Sequence, residues 1–185
     1  MNKSLNRITI GGVLIAFAII IPQLFHFTGI PKSGQVFLPM HIPVLLSGFV
    51  IGPVFGLLVG IISPIISSLL TGMPDMARLP FMVLELATYG GVGGILYNVL
   101  SFNRKKFGIY SSLILSMIAG RIVYAISLFV AANLFEVPCG GPIAAITATV
   151  TGLIGIVIQL VIIPPMIYLL EKSGYLERYF RVCTQ

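Results

Sequence analysis

The length and continuity of the apolar runs constrain this chain more than anything else. They cover about residues 8–27, 37–52, 54–71, 79–100, 109–134 and 142–170, parted by short turns. A helix that crosses a bilayer takes about 20 apolar residues, so six crossings use about 120 residues. A chain of 185 residues then has room only for loops and a charged tail over 171–185. The residues are 57% hydrophobic and 9% charged, with a mean hydropathy of +1.07. A soluble domain of this size leaves roughly a third of its unfolded surface in water, which excludes a soluble globule of this composition. A membrane β-barrel alternates apolar and polar residues, and these runs do not. The expected fold is all-α: one polytopic membrane domain over 1–185, a six-helix transmembrane bundle. Lys3 and Arg7 followed by the run from Ile8 imitate a signal peptide. No small-residue cleavage site follows, so a retained first helix is expected.

Orientation follows from the basic residues. Lys3, Arg7, Arg104, Lys105, Lys106, Lys172, Arg178 and Arg181 fall on one side, and Lys32 and Arg78 on the other. The positive-inside rule then places both termini in the cytoplasm. The net charge of +6 sits at helix ends, so it does not indicate nucleic acid. Cys139 and Cys183 lie near opposite ends of spans, which argues against a disulfide between them.

Once the loops and tail are set aside, Glu85 and Arg121 are the charged residues left inside spans. A charge at the bilayer centre costs about 2.5–3.5 kcal/mol on insertion scales, so each is expected to face the bundle interior. Two readings stand side by side: a salt bridge between spans four and five, or contact with a bound solute. Counted from the outer helix ends, Glu85 lies about 9 Å deep and Arg121 about 20 Å. That offset of one to two turns works against direct pairing. Tyr89 and Tyr124 share a face with Glu85 and Arg121 respectively. His41 opens the second span, as a hydrogen-bonded structural residue or as a ligand. Ser63, Ser67 and Thr71 form a hydroxyl stripe on span three, with bonds to their own helix as the competing role. Asn133, Thr147 and Thr151 are weaker polar candidates, and Gln159 is expected to bond between helices.

Small residues recur every four positions: Gly48, Gly52, Gly56 and Gly60; Ala144, Ala148 and Gly152; Gly90 and Gly94; Gly12 and Ala16. Such spacing lets helix backbones approach in lipid. Internal packing is expected for all but the last pair. The chain has no G-x-x-x-x-G-K-[ST] loop, no H-E-x-x-H, no C-x-x-C and no carboxylate cluster. No catalytic residue, metal ligand or resident cofactor is therefore assigned, and ATP would have to be used by other subunits. An intramembrane enzyme would need such a cluster. A channel would need rings of like charge, and a self-sufficient carrier often shows inverted repeats.

The stretches HIPVLLSGFVIGPVFGLLVGIISPIISSLLTGMP, LELATYGGVGGILY and GRIVY resemble the substrate-binding S components of energy-coupling factor (ECF) vitamin transporters. The resemblance covers about residues 5–170, and among the pantothenate, folate, riboflavin and pyridoxine types it is nearest the pantothenate type. It implies a pocket open to the outside, built from spans four to six and covered by loops 28–36 and 72–78. It also implies docking on a transmembrane coupling protein that carries two ATPase subunits, through small residues of the first helix, here Gly12 and Ala16. Gly12 departs from the usual Ala at that place. On this reading Arg121 or Arg78 holds an anionic end of the vitamin. Glu85, Tyr89, Asn133, Ser67 and Thr71 would take its hydroxyl and amide groups, with Tyr124 and His41 beside them.

Overall fold

The computed structural model describes residues 3–26, 33–100, 107–134 and 141–174. Lys32, the basic loop 101–106, Glu136, Cys139, Cys183 and the tail from 175 onward lie outside the described residues. So does most of loop 28–36. Every regular element described is helical. In order they are α1 (Lys3–His26), α2 (Ser33–Phe37), α3 (His41–Ile51), α4 (Pro53–Thr71), α5 (Leu79–Gly94), α6 (Gly108–Leu134), α7 (Gly141–Thr151) and α8 (Leu153–Lys172). A π-helical turn, Ile95–Val99, extends α5. Among the described residues, six stretches are long and apolar enough to cross a membrane: Ser4–Phe25, Ser33–Ile51, Pro53–Thr71, Leu79–Val99, Gly108–Asn133 and Leu153–Lys172. Large apolar side chains such as Ile8, Phe17, Leu69, Ile126 and Val161 point outward, as a lipid-facing surface requires.

Local chemistry sets the breaks. Gly52, at φ +97°, ends α3, and Pro53 opens α4, where its missing N–H costs nothing. Gly72, in the left-handed region at φ +71°, closes α4, its N–H bonded to the Ser68 carbonyl. Two apolar runs are less regular than expected. The second begins earlier, at Ser33, and bends at Leu38, which has φ +49°. The sixth, a run expected to tilt or bend near Pro164-Pro165, is interrupted at Gly152, and both prolines lie within α8.

The bundle is organised about α5, which packs against α3, α4 and α6. Its tightest contact is made of glycine. A Cβ on Gly90 would stand 2.1 Å from the Gly56 carbonyl oxygen, and one on Gly48 would stand 2.2 Å from the Gly90 oxygen. Gly60 meets the Leu86 backbone and Gly94 meets Pro53 in the same way. Of the row on α3 and α4, Gly48, Gly56 and Gly60 pack, while Gly52 makes the turn. Below this seam Asn98 donates to the Gly48 carbonyl at 3.0 Å, and the Tyr97 hydroxyl donates to Glu171. Tyr97 also meets Phe49 edge-on, with centroids 5.0 Å apart. The C-terminal ends of spans two, four and six are thereby tied together.

Candidate functional site

In the N-terminal half of α5, where Gly60 still meets the Leu86 backbone on one side, polar contacts form on another. Arg121 on α6 reaches Glu85 on α5, Nη1 to Oε1 3.1 Å. Tyr89 donates its hydroxyl to the same oxygen at 3.0 Å, and His41 Nε2 lies 4.0 Å from it. The His41 and Tyr89 rings are 5.3 Å apart at their centroids. His41, Glu85 and Tyr89 are each no more than 4% exposed.

Antiparallel packing of α5 on α6 explains how the depth offset is closed. Gly93 lies beside Ser116, and the Tyr89 ring lies on Gly120. Continued, that register sets Arg121 three residues, or about 4.5 Å, nearer the bundle centre than Glu85. An arginine side chain spans such a step. Salt-bridge contact between the two helices is thus what forms, and the offset is one turn rather than two.

Two glycines shape this place, and the sequence reading did not assign them to it. A Cβ on Gly120 would stand 2.1 Å from the Tyr89 ring, so the glycine of GRIVY admits the tyrosine. A Cβ on Gly152 would stand 3.0 Å from Arg121 Nη2 and 3.0 Å from Leu38 Cδ1. The interruption between α7 and α8 therefore makes the space that the arginine enters. A glycine directly before a buried arginine, and one at the end of an Ala-x-x-x-Ala-x-x-x-Gly row, were the available signals.

The cluster is polar beyond what its bonds satisfy. Among the described residues, Arg121 Nε and Nη2 and both ring nitrogens of His41 are buried without hydrogen-bond partners, as are Ser63 Oγ on α4 and Gln159 Oε1 on α8. Gln159 does bond between elements as expected, its Nε2 donating to the Leu38 carbonyl at 3.5 Å. Buried polar atoms left unpaired are costly, and those of Arg121 and His41 lie around one ion pair.

The remaining candidates lie elsewhere. Ser67 donates to the Met73 carbonyl at 2.7 Å, and Thr71 donates to the Ser67 carbonyl at 2.7 Å, so both secure the end of α4. Asn133 is exposed and donates to the Phe129 carbonyl of its own helix at 2.9 Å. Thr147 and Thr151 likewise donate to their own helix. Tyr124 packs with Phe81, Leu128 and Ala131 where the start of α5 meets the C-terminal half of α6. Arg78 is exposed at the head of α5. Gly12 and Ala16 are exposed on α1, and nothing stands within 4 Å of a Cβ placed on Gly12. Among the described residues, no three His, Cys, Asp or Glu side chains are grouped as a metal site.

The family model of the ECF transporter substrate-specific component matches residues 6–167, nearly the whole chain. The chain belongs to that family. It is an S component, the substrate-binding subunit of an ECF transporter, and a multi-pass membrane protein that works with coupling and ATPase modules. The family is a transporter component and not an enzyme family. No curated protein and no solved structure matches this S component significantly.

Proposed function

We propose that this S component captures a small vitamin, with pantothenate favoured, at the outer face of a bacterial plasma membrane. It delivers the vitamin inward after docking on a coupling protein that carries two ATPase subunits. The termini lie inside, in keeping with the eight basic residues on that side. The observation that carries the reading is the half-used Arg121 guanidinium: Nη1 bonds Glu85, while Nε and Nη2 are buried without partners. That free edge is a planar donor fork of the kind that matches a carboxylate. Pantothenate offers one carboxylate, two hydroxyls and an amide. Glu85, Tyr89 and His41 supply complementary groups around Arg121. Arg78, exposed at the outer end of α5, would draw an anion toward the mouth. Tyr124 would line that mouth, while Asn133, Ser67 and Thr71 take lesser parts because their own helices and turns already use their bonds. The open face of α1 at Gly12 and Ala16 fits close approach of a partner helix.

The test replaces Arg121 with alanine and measures pantothenate affinity together with expression. Loss of at least about tenfold in affinity in a folded variant, the usual worth of a charge-assisted hydrogen bond or more, is expected. Unchanged affinity removes Arg121 from the site. Mass spectrometry of small molecules carried through purification reads the vitamin directly. A folate, riboflavin, pyridoxine or cobalamin there replaces pantothenate. Uptake in cells that lack the ATPase module would favour a self-sufficient carrier.

A further inference from the structure

The charges buried around Glu85 sum to zero, and that balance restricts what can join them. Glu85 and Arg121 neutralise each other at 3.1 Å. Three other titratable groups face the pair: Tyr89 on α5, donating to Glu85, His41 on α3, 4.0 Å away, and Tyr124 on α6, a phenol that the α5–α6 register sets opposite Glu85. Helices α2, α4 and α7 contain no ionisable side chain, and those of α8 lie at its far end around Glu171. An imidazolium at His41 would bury two N–H donors, and neither ring nitrogen has a hydrogen-bond partner. A neutral imidazole is the cheaper state beside an ion pair that is already balanced.

A carboxylate that takes the free edge of Arg121 upsets this balance. Two buried anions, Glu85 and the ligand, would then share one cation. Removing a net charge from water costs several kcal/mol in practice. The remedy lies within the cluster: a proton on the His41–Glu85 pair restores two positive and two negative charges, or one of each if Glu85 itself takes it.

We propose that an anionic ligand binds this site together with one proton, taken from solvent and held by His41 and Glu85. The proposal rests on anion recognition at Arg121, and it adds the stoichiometry of charge. A neutral analogue of the same ligand enters without a proton.

The experiment uses the full chain in lipid nanodiscs and isothermal titration calorimetry at one pH in phosphate and in Tris, buffers with very different ionisation heats. The probes are pantothenate, its uncharged primary-alcohol analogue, and a panel of small vitamin monocarboxylates. The expected result is uptake of about one proton with pantothenate, none with the alcohol, and an affinity that falls about tenfold per pH unit once the free site is deprotonated. Glu85→Gln removes the competing anion, so its proton uptake falls to about zero and its pantothenate affinity stops varying with pH. Should that variant misfold, His41→Gln reports on the same pair through a flattened pH profile. Pantothenate binding with no proton uptake overturns the inference and leaves the vitamin assignment standing. Another carboxylate binding with one proton, where pantothenate does not bind, overturns only the vitamin. A site that binds no carboxylate overturns the inference outright.

Discussion

The two halves of α5 are built on opposite principles. From Gly90 to Gly94 the helix has almost no side chain, and its backbone touches the backbones of α3 and α4. From Glu85 to Tyr89 it carries two large buried polar side chains, beside Arg121 and His41 atoms that have no hydrogen-bond partner among the described residues. The glycine half is complete without any other molecule, whereas the polar half is not. The two stretches abut at Tyr89 and Gly90, so the rigid glycine seam directly supports the polar cluster. The difference sets the tightest packing of the bundle beside the place where the proposed function puts the ligand.

The comparison breaks most sharply at Glu85. Glu85→Ala leaves Arg121 buried and unpaired, and a loss of about 3–5 kcal/mol is expected, read as a lowered unfolding midpoint in detergent. Glu85→Ala combined with Arg121→Met should recover part of that loss, since the uncompensated charge is gone. If the single variant is as stable as the parent, the ion pair is not a structural tie.

A smaller effect is expected in the glycine half. Gly90→Ala drives a Cβ to within 2.1 Å of the Gly56 carbonyl, and both sides of the clash are backbone. Overpacking of this kind costs about 1–3 kcal/mol, occasionally more. Separation of α4 from α5, followed by cross-linking of cysteines placed on the two helices, checks the cause. The smallest effect belongs to a polar residue outside both halves. Asn133→Ala removes an exposed side chain that, among the described residues, bonds its own helix, so stability should move by no more than about 0.5 kcal/mol. A large loss of ligand affinity there would extend the site to the outer end of α6.

The architecture was legible because the bilayer permits so few solutions: continuous apolar runs have to become helices. The four-residue glycine rows also announced close packing. Glu85 and Arg121 could be singled out by scarcity alone, because charge inside lipid is expensive. Their pairing could not be read, since depth counted from helix ends ignores the register between helices. Here the Gly120–Tyr89 contact sets that register. The bend at Leu38 was hidden too, because a leucine with positive φ leaves no mark in composition. The Tyr97–Glu171 bond was missed for a different reason: Glu171 was grouped with the polar tail, although α8 continues past it to Lys172. Ser67 and Thr71 show the limit of stripe arguments, because a hydroxyl on a membrane helix finds its nearest acceptor on the chain that carries it.

The glycine seam has a thermal consequence. Ordinary cores are held by the release of water from apolar surface, a force that weakens on cooling and carries a large heat-capacity signature. In the seam, backbone meets backbone, and its gain is van der Waals contact within lipid rather than escape from water. Separating α5 from α3 and α4 within the bilayer would therefore absorb little extra heat capacity. The contact that sets the shape of this bundle should hold almost equally well in a cold membrane and a warm one.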